Sequence, residues 1–173
     1  MLQKISYNQL KMKISGTDQG KLSVKTSGIL NYMFTTGMVE HVDKGMCSIS
    51  DAALDSINTM TKEPQSGDIV AVVNTGIYLL VDVTDEGKSV ICARIELGEL
   101  KDDFVYNIPK FSVTTEPNDP LSTFNKFPIN NVFVLRKGNF DMKEVKQLYD
   151  KFKQVWAIIH EVRKHPTVVE KGI

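Results

Sequence analysis

The sequence predicts an α+β fold: a five-stranded antiparallel barrel or meander, preceded by an N-terminal hairpin and two helices and followed by a long C-terminal helix. Two observations lead to this prediction. The stretch from Ser66 to Leu97 contains runs of β-branched and aliphatic residues separated by Asn74-Thr75-Gly76 and Asp85-Glu86-Gly87, the pattern of a meander of short strands. After Asp141, apolar residues recur at helical spacing up to His165-Pro166, which ends the helix.

The N-terminal segment from Lys4 to Lys25 is expected to form a β-hairpin. Apolar residues mostly alternate from Ile5 to Ile14, and Gly16-Thr17-Asp18-Gln19-Gly20 provides a turn. The polar face of this hairpin carries Lys11, Lys13, Lys21 and Lys25. Lysines that alternate along a strand either protect a sheet edge or contact phosphates, and both interpretations stay open here.

Two helices are predicted next. Ser27 is a candidate cap for the first, which Gly37 weakens or ends, and residues Met38 to Val42 are expected to continue it beyond a kink. Ser50 is the candidate cap of the second helix, and Pro64 ends it.

The later strands are expected on either side of a long loop. A fourth strand is predicted from Phe104 to Val113, residues Thr114 to Pro128 are expected to form an ordered loop, and Asn131 to Leu135 gives a fifth strand. The chain would then divide into an N-terminal unit of residues 1–63 and a second unit of residues 64–173, unless the two form one compact unit.

The C-terminal helix has an unusually broad apolar face. Its apolar residues from Val145 to Val162 spread over roughly 200° of the helix, well beyond the ~100° that one docking surface needs. We therefore expect two buried sides, one against the meander and the other against the N-terminal helices or a second copy of the chain. Tyr149, Trp156 and Ile158 are the candidate partner-interface residues, and a homodimer through this helix is one expectation.

Charge is unevenly distributed along the chain although its formal total is zero. Residues 1–25 carry five basic groups against one acidic group, residues 26–135 seven against fifteen, and residues 136–173 nine against five. If the two basic ends fold onto one side, they form a positive face that attracts phosphates. If they instead dock on the acidic middle, the charges cancel internally.

Catalytic, cofactor and metal motifs are not found in the sequence. The three candidate histidines are His41, His160 and His165. The last two are five residues apart, about 140° around a helix, so they do not converge as a metal pair does. Cys47 and Cys92 lack zinc-ligand spacing. We expect no enzyme activity, no cofactor, no metal and no membrane span, and a location in the cytoplasm, or in the host cytoplasm if the chain is phage-encoded.

The opening of the strand region is similar to known small barrels. Gly67-Asp68-Ile69-Val70-Ala71-Val72-Val73, followed by Gly76 and a strand from Ile77 to Val83, resembles the start of KOW- and Tudor-type barrels, over about residues 66–135. The resemblance implies an SH3-like barrel that binds nucleic acid or proteins. Where the KOW motif has a basic residue and a further glycine, this chain has Ile77-Tyr78-Leu79-Leu80.

The same layout is loosely similar to MazF/PemK-type ribonucleases. The arginine that these enzymes carry in the loop after the first strand has no counterpart in Asn74-Thr75-Gly76. We therefore do not expect ribonuclease activity, and another hydrolase would need a cleft of converging polar groups that no motif indicates.

Two functions remain as hypotheses. The first is a nucleic-acid-binding or transcription-associated protein, in which Tyr78 or Tyr106 stacks on bases if exposed. Its phosphate contacts would come from Lys11, Lys13, Lys21, Lys25, Arg136 and Lys137. The alternative is a protein-interaction or inhibitory module, of the kind that phages encode as accessory proteins, that acts on a host protein.

Overall fold

The computed structural model of the chain describes residues 1–17, 22–98, 106–116 and 118–164, with the backbone alone for residues 162–164. It has a mixed α+β fold, which confirms that part of the prediction. Lys21, Phe104 and His165 and the turn residues 18–20 lie outside the described residues.

Three helices lie among the first three strands, seven strands follow in succession, and a long helix comes last in the described part of the chain. The helices of the described residues are α1 (Tyr7–Ser15), α2 (Val24–Thr35), α3 (Asp51–Met60) and α4 (Met142–Lys164). The strands are β1 (Leu2–Ser6), β2 (Val39–Asp43), β3 (Met46–Ser50), β4 (Asp68–Val72), β5 (Gly76–Thr84), β6 (Ser89–Arg94), β7 (Glu96–Leu97), β8 (Tyr106–Asn107), β9 (Phe124–Pro128) and β10 (Val132–Lys137). A 3-10 turn, Ile129–Asn131, joins β9 to β10.

The central element is a five-stranded antiparallel sheet with the strand order β10-β4-β5-β6-β9. The predicted meander β4-β5-β6 is confirmed, and its tight β5–β6 turn has positive φ at Asp85, Glu86 and Gly87. The barrel is not confirmed, because β9 and β10 are the edges of the sheet and none of the described sheets closes on itself.

One face of this sheet forms a core without a helix. Among the described residues, this core consists of Val70, Val72, Tyr78, Leu80, Val90, Cys92, Val132 and Val134, with Phe127 and Ile129 packed at its margin. Since its members are buried and come from the sheet itself and the 3-10 turn, the sheet must curve enough for its own strands to cover this face.

The opposite face of the sheet is covered by two separate layers. The N-terminal helices, with the small sheet β1-β3-β2, pack on Ala71 and Phe133. Helix α4 packs on Ile69, Leu79 and residues of β6. The core that the N-terminal helices form with Ala71 and Phe133 therefore combines residues from before and after position 63. The division of the chain into two units at that position stays a prediction.

The predicted N-terminal hairpin is wrong. Strand β1 pairs with β3, and residues Tyr7–Ser15 form a helix. The Gln9 N–H donates to the Ser6 hydroxyl at 3.0 Å, and the Ser6 N–H donates to Oε1 of Gln9 at 3.1 Å, so a capping box starts the helix. Leu10 and Ile14 are buried on one side of it, at the four-residue spacing of a helix.

The region after this helix is partly as predicted. Helix α2 exists, but Ser23 rather than Ser27 caps it, and it ends at Thr35 before Gly37. Residues Met38 to Val42 do not continue the helix. They lie mostly in strand β2, which a turn at Gly45 folds back onto β3. The prediction for α3 is confirmed at its start, where the Ala53 N–H donates to the Ser50 hydroxyl at 3.0 Å.

The predicted fourth strand is also wrong. Of that segment, Tyr106–Asn107 pairs with β7 outside the central sheet, and the fourth strand is β9, inside the predicted loop. Polar residues interrupt the apolar pattern of β9, as an edge strand permits. Oδ1 of Asn118 accepts a hydrogen bond from the Lys126 N–H at 3.2 Å. The fifth strand is confirmed and extends to Lys137.

Candidate binding cleft

A cleft of about 660 Å³ lies between α2 and the β4–β5 turn, and we call it the helix–turn cleft. Buried apolar residues form its floor, including Ala71 and Phe133. Hydroxyl and amide side chains form its walls, and three exposed apolar side chains stand at its edge. The wall residues are Ser23, Ser27, Asn31, Thr35, Thr36, Asn74 and Thr75, and the apolar edge residues are Leu22, Val24 and Ile77.

Helix α2 supplies one wall because of a four-residue polar repeat. Positions 23, 27, 31 and 35 are all polar, and residues four apart lie on the same side of a helix. Ser23 also starts the helix, since its hydroxyl accepts a hydrogen bond from the Thr26 N–H at 3.1 Å. Below this wall the ring of Tyr32 meets the ring of Phe133 edge-on, with centroids 5.7 Å apart.

Gly28 allows the helix to approach the sheet closely. A Cβ atom at this position would lie 2.5 Å from Cγ2 of Val73 and 3.4 Å from Cε1 of Phe133. Real Cβ atoms do not approach other atoms as closely as the first of these distances. The depth of the helix–turn cleft therefore depends on the missing side chain of Gly28.

The turn between β4 and β5 forms the other wall. Asn74 takes the left-handed conformation with φ of 62°, which asparagine tolerates better than most residues. The Thr75 N–H donates to the Val72 carbonyl at 3.0 Å and closes the turn. Asn74 and Thr75 are consequently held exposed beside the cleft.

The helix–turn cleft has no charged side chain among its described lining residues. It therefore offers no counter-charge to a phosphate or a carboxylate. The side chains of Ser27, Asn31 and Asn74 make no hydrogen bond to any residue in the described part of the chain. Their donors and acceptors are available to a bound molecule.

A smaller cavity of about 270 Å³ lies on the other flank of α2. It shares Leu22, Ser27 and Asn31 with the helix–turn cleft. Its far end is aromatic, because the imidazole of His41 stacks on Phe34 with ring centroids 4.4 Å apart.

A separate pocket of about 310 Å³ lies between α4 and β9, and we call it the aromatic pocket. Its rings come from Phe124, Tyr149, Phe152 and Trp156, and Lys126 and Lys153 stand at its rim. Each lysine already has an acidic partner, Asp85 for Lys126 and Asp150 for Lys153. The rim therefore presents little uncompensated positive charge. Within the pocket, burial raises the pKa of Tyr149.

The predicted phosphate-binding lysines have different surroundings. The Lys11 ammonium lies over the Tyr7 ring at 5.0 Å from its centroid, whereas Lys13 is exposed on α1. Lys25 is half-buried, and burial lowers its pKa although Glu63 acts in the opposite direction. Among these three lysines, Lys13 keeps a freely solvated charge.

The remaining nucleic-acid candidates do not line the helix–turn cleft. Arg136 and Lys137 are exposed at the C-terminal end of β10. The Arg136 guanidinium lies 4.9 Å from the ring centroid of Tyr106. Tyr78 is buried in the helix-free core of the sheet. Stacking on bases required an exposed ring, and Tyr78 does not meet that condition.

The candidate partner-interface residues do not share one surface. Tyr149 and Trp156 pack against the core between α4 and the sheet, whereas the Ile158 side chain is 64% exposed. The α4 residues of that core lie in one sector of the helix, and no residue of the N-terminal helices belongs to it. Of the two expected coverings for a second side of α4, the N-terminal helices contribute no described residue to its core, and a second copy of the chain stays a prediction.

The chain matches no family model, no curated protein and no solved structure. Within the described ranges, none of the helices is long and apolar enough to span a membrane. The described histidine, cysteine and acidic side chains form no group of three or more that could hold a metal.

Sequence reasoning missed the helix–turn cleft, although two signals for part of it were present. The polar repeat from Ser23 to Thr35 and the glycine within it, Gly28, indicate a helix with a polar wall and a close neighbour. The predicted start of α2 at Ser27 concealed the repeat. The opposite wall comes from a turn about fifty positions later, at Asn74, and no local pattern connects the two.

Proposed function

We propose that this chain is a protein-binding module that engages a partner protein through the helix–turn cleft. The observation that carries the proposal is the combination of an uncharged lining with three exposed apolar side chains, Leu22, Val24 and Ile77, at its edge. Apolar residues that gather in the open around a concave site are typical of protein interaction surfaces.

The absence of charged side chains from the described lining of the cleft favours a protein over a nucleic acid as the ligand. A nucleic-acid strand carries a phosphate at every residue, and basic side chains supply most of the binding free energy. The described lining of the helix–turn cleft has none. An uncharged protein segment loses no ionic hydration when it enters such a site, so the apolar floor can provide the binding free energy.

Nucleic-acid binding is the second candidate, supported by the exposed Lys13, Arg136 and Lys137. A gel-shift titration at low and moderate salt tests it, because phosphate contacts strengthen as salt falls. Binding at low salt that is lost when Arg136 and Lys137 are changed to Ala would support this function at a site separate from the cleft.

Site-specific photo-crosslinking tests the protein-binding function. A photoreactive amino acid is placed at Val24 or Ile77 of the full chain, and at Val83 as a matched exposed apolar control at the other end of β5. We expect a discrete adduct from the two cleft positions in cell extract, and none from Val83. The adduct should be destroyed by protease and resist nuclease.

Competition makes the result specific to the cleft. Excess unlabelled wild-type chain should suppress the adduct, whereas excess Ile77→Asp chain should not, since a carboxylate at the edge opposes apolar contact. A nuclease-sensitive adduct, or equal adducts from Val24 and Val83, would contradict the proposed function.

A further inference from the structure

The two cavities that flank α2 adjoin each other at the outer surface of this helix. They share Leu22, Ser27 and Asn31, and we call the combined surface the α2 groove. Its one end is the helix–turn cleft, with its floor at Phe133, and its other end is the stacked pair of Phe34 and His41. Ser27 and Asn31 belong to both cavities, so they form the ridge where the groove crosses the helix.

The shape of the α2 groove fits an extended chain. A helix is about 10–12 Å wide with its side chains, and it would rest on the ridge of Ser27 and Asn31 without entering both cavities. In an extended chain, side chains four residues apart point the same way and are separated by about 13 Å, which is comparable with the width of α2. Such a chain can place one side chain in each cavity and its main chain on the ridge.

The chemistry of the ridge fits a peptide main chain. A carboxamide offers donors and an acceptor together, which matches the C=O and N–H groups of an extended peptide. The carboxamide of Asn31 is exposed and makes no hydrogen bond to a described residue. The Ser27 hydroxyl lies one helical turn before it, on the same side of α2.

We infer that the α2 groove binds an extended, uncharged segment of a partner protein, whose main chain bonds to Asn31 while an apolar side chain fills the helix–turn cleft. This inference rests on the proposed protein-binding function and names the form of the partner. Absence of charge in the described lining of the cleft selects the uncharged segment, and the Asn31 carboxamide selects its main chain.

The test selects peptides from a random linear library displayed on phage, with the full chain as the immobilised target. We expect the selected peptides to share an apolar residue in a stretch that lacks charged residues. Asn31→Ala should weaken their binding about tenfold, as loss of one well-formed hydrogen bond in a desolvated site does. Asn58→Ala removes an exposed carboxamide from α3 instead, and it should leave the affinity unchanged.

A second measurement separates main-chain recognition from side-chain recognition. Each peptide bond of a selected peptide is N-methylated in turn, which removes one N–H donor. We expect one position at which methylation weakens binding to the wild-type chain about tenfold and has little further effect on binding to Asn31→Ala. Circular dichroism of the variants confirms that they fold as the wild type does.

The outcomes distinguish this inference from the proposed function. Peptides that require Ile77 but ignore Asn31 and N-methylation would overturn the main-chain inference and leave the protein-binding function standing. A selected motif that is charged, or helical with apolar spacing of three and four, would also overturn it. Failure to select any peptide that depends on the groove overturns it as well, while the crosslinks from Val24 and Ile77 decide the function independently.

Discussion

At the scale of single residues, Gly28 determines how closely α2 can approach the sheet. A methyl group at this position would meet Cγ2 of Val73 at 2.5 Å. The β-branched side chain of valine has few alternative rotamers, so the contact can be relieved only by a shift of the helix or of the strand end. The cleft that α2 shares with the β4–β5 turn would change with that shift.

We predict that Gly28→Ala lowers the free energy of unfolding by about 1–2 kcal/mol. Overpacking costs about 1–3 kcal/mol, and the better helix propensity of alanine returns up to about 1 kcal/mol. Urea unfolding measures the change. In a Val73→Ala background the same substitution should lose most of its effect, because the methyl group then has room. An equal loss of stability in both backgrounds would contradict the steric explanation.

Because the thiol of Cys92 is buried, the free energy of unfolding depends on pH in the alkaline range. Burial raises its pKa to about 12, from an ordinary value of 9.0. Between these two values the unfolded chain releases a proton that the folded chain retains, so rising pH favours unfolding. This contribution to stability is complete below pH 9.0 and declines as the pH rises towards about 12.

We predict that stability falls more steeply above about pH 9 in the wild type than in Cys92→Ala, by up to about 1.4 kcal/mol per pH unit. Urea midpoints measured between about pH 8 and pH 10 test this slope. The alanine variant is compared by its slope, since it also loses some packing. Parallel pH profiles for the two chains would show that the thiol does not titrate as its burial requires.

At the scale of elements, helix α4 is anchored by one side. Phe152 is buried among aromatic rings and lies edge-on to Phe124 at a centroid distance of 5.2 Å. Ile158, six residues later, is 64% exposed. Asp141 supports the start of the helix, because its carboxylate accepts hydrogen bonds from the N–H groups of Lys143 and Glu144.

We predict that Phe152→Ala lowers the free energy of unfolding by about 3–5 kcal/mol, whereas Ile158→Ala changes it by less than about 0.5 kcal/mol. The difference follows from burial, since only the phenylalanine leaves a cavity. Denaturant unfolding of the two variants measures it. Comparable losses would mean that Ile158 is covered in solution, as a homodimer through α4 requires, and sedimentation would then be the deciding measurement.

Elements whose signals are local could be predicted, and the others could not. The starts of α3 and α4 follow from Ser50 and Asp141 because capping depends on residues two or three positions away. Helix α1 was missed because alternating apolar residues outweighed its capping box at Ser6. Strand β9 was missed because it pairs on one edge only, and Asn118 bonds to its outer edge from a loop. Neither the one-sided pairing of β9 nor the hydrogen bond to Asn118 produces a regular spacing of apolar residues in the sequence.

At the scale of the whole molecule, the N-terminal layer and the central sheet share a core. Residues from α1, α2 and α3 form one buried cluster with Ala71 and Phe133. A separate layer on the same face of the sheet, that of α4, holds the single tryptophan, Trp156. Cys47 is buried in the N-terminal layer. The unfolding of each layer can therefore be followed at a residue of its own, Cys47 in the N-terminal layer and Trp156 in the layer of α4.

We predict that the chain unfolds in one cooperative transition. Loss of either layer exposes part of the same face of the sheet, and this couples their stabilities. Trp156 fluorescence and the labelling rate of the Cys47 thiol should therefore change at the same urea concentration. Phe133→Ala, in the shared core, should lower both midpoints equally. Two separated midpoints would instead support independent units of residues 1–63 and 64–173.

Local patterns in the sequence were enough to predict the α+β class, the meander that the structure has from Asp68 to Arg94, the cap of α3 and the long helix α4. These features depend on neighbours within a few positions, where alternation, helical period and capping act directly. The sequence did not reveal that Tyr78 is buried, that the described phosphate-binding candidates lie on three different elements, α1, α2 and β10, or that a cleft joins α2 to the β4–β5 turn. Such features depend on which distant segments share a core, and packing decides that across the whole chain rather than along it.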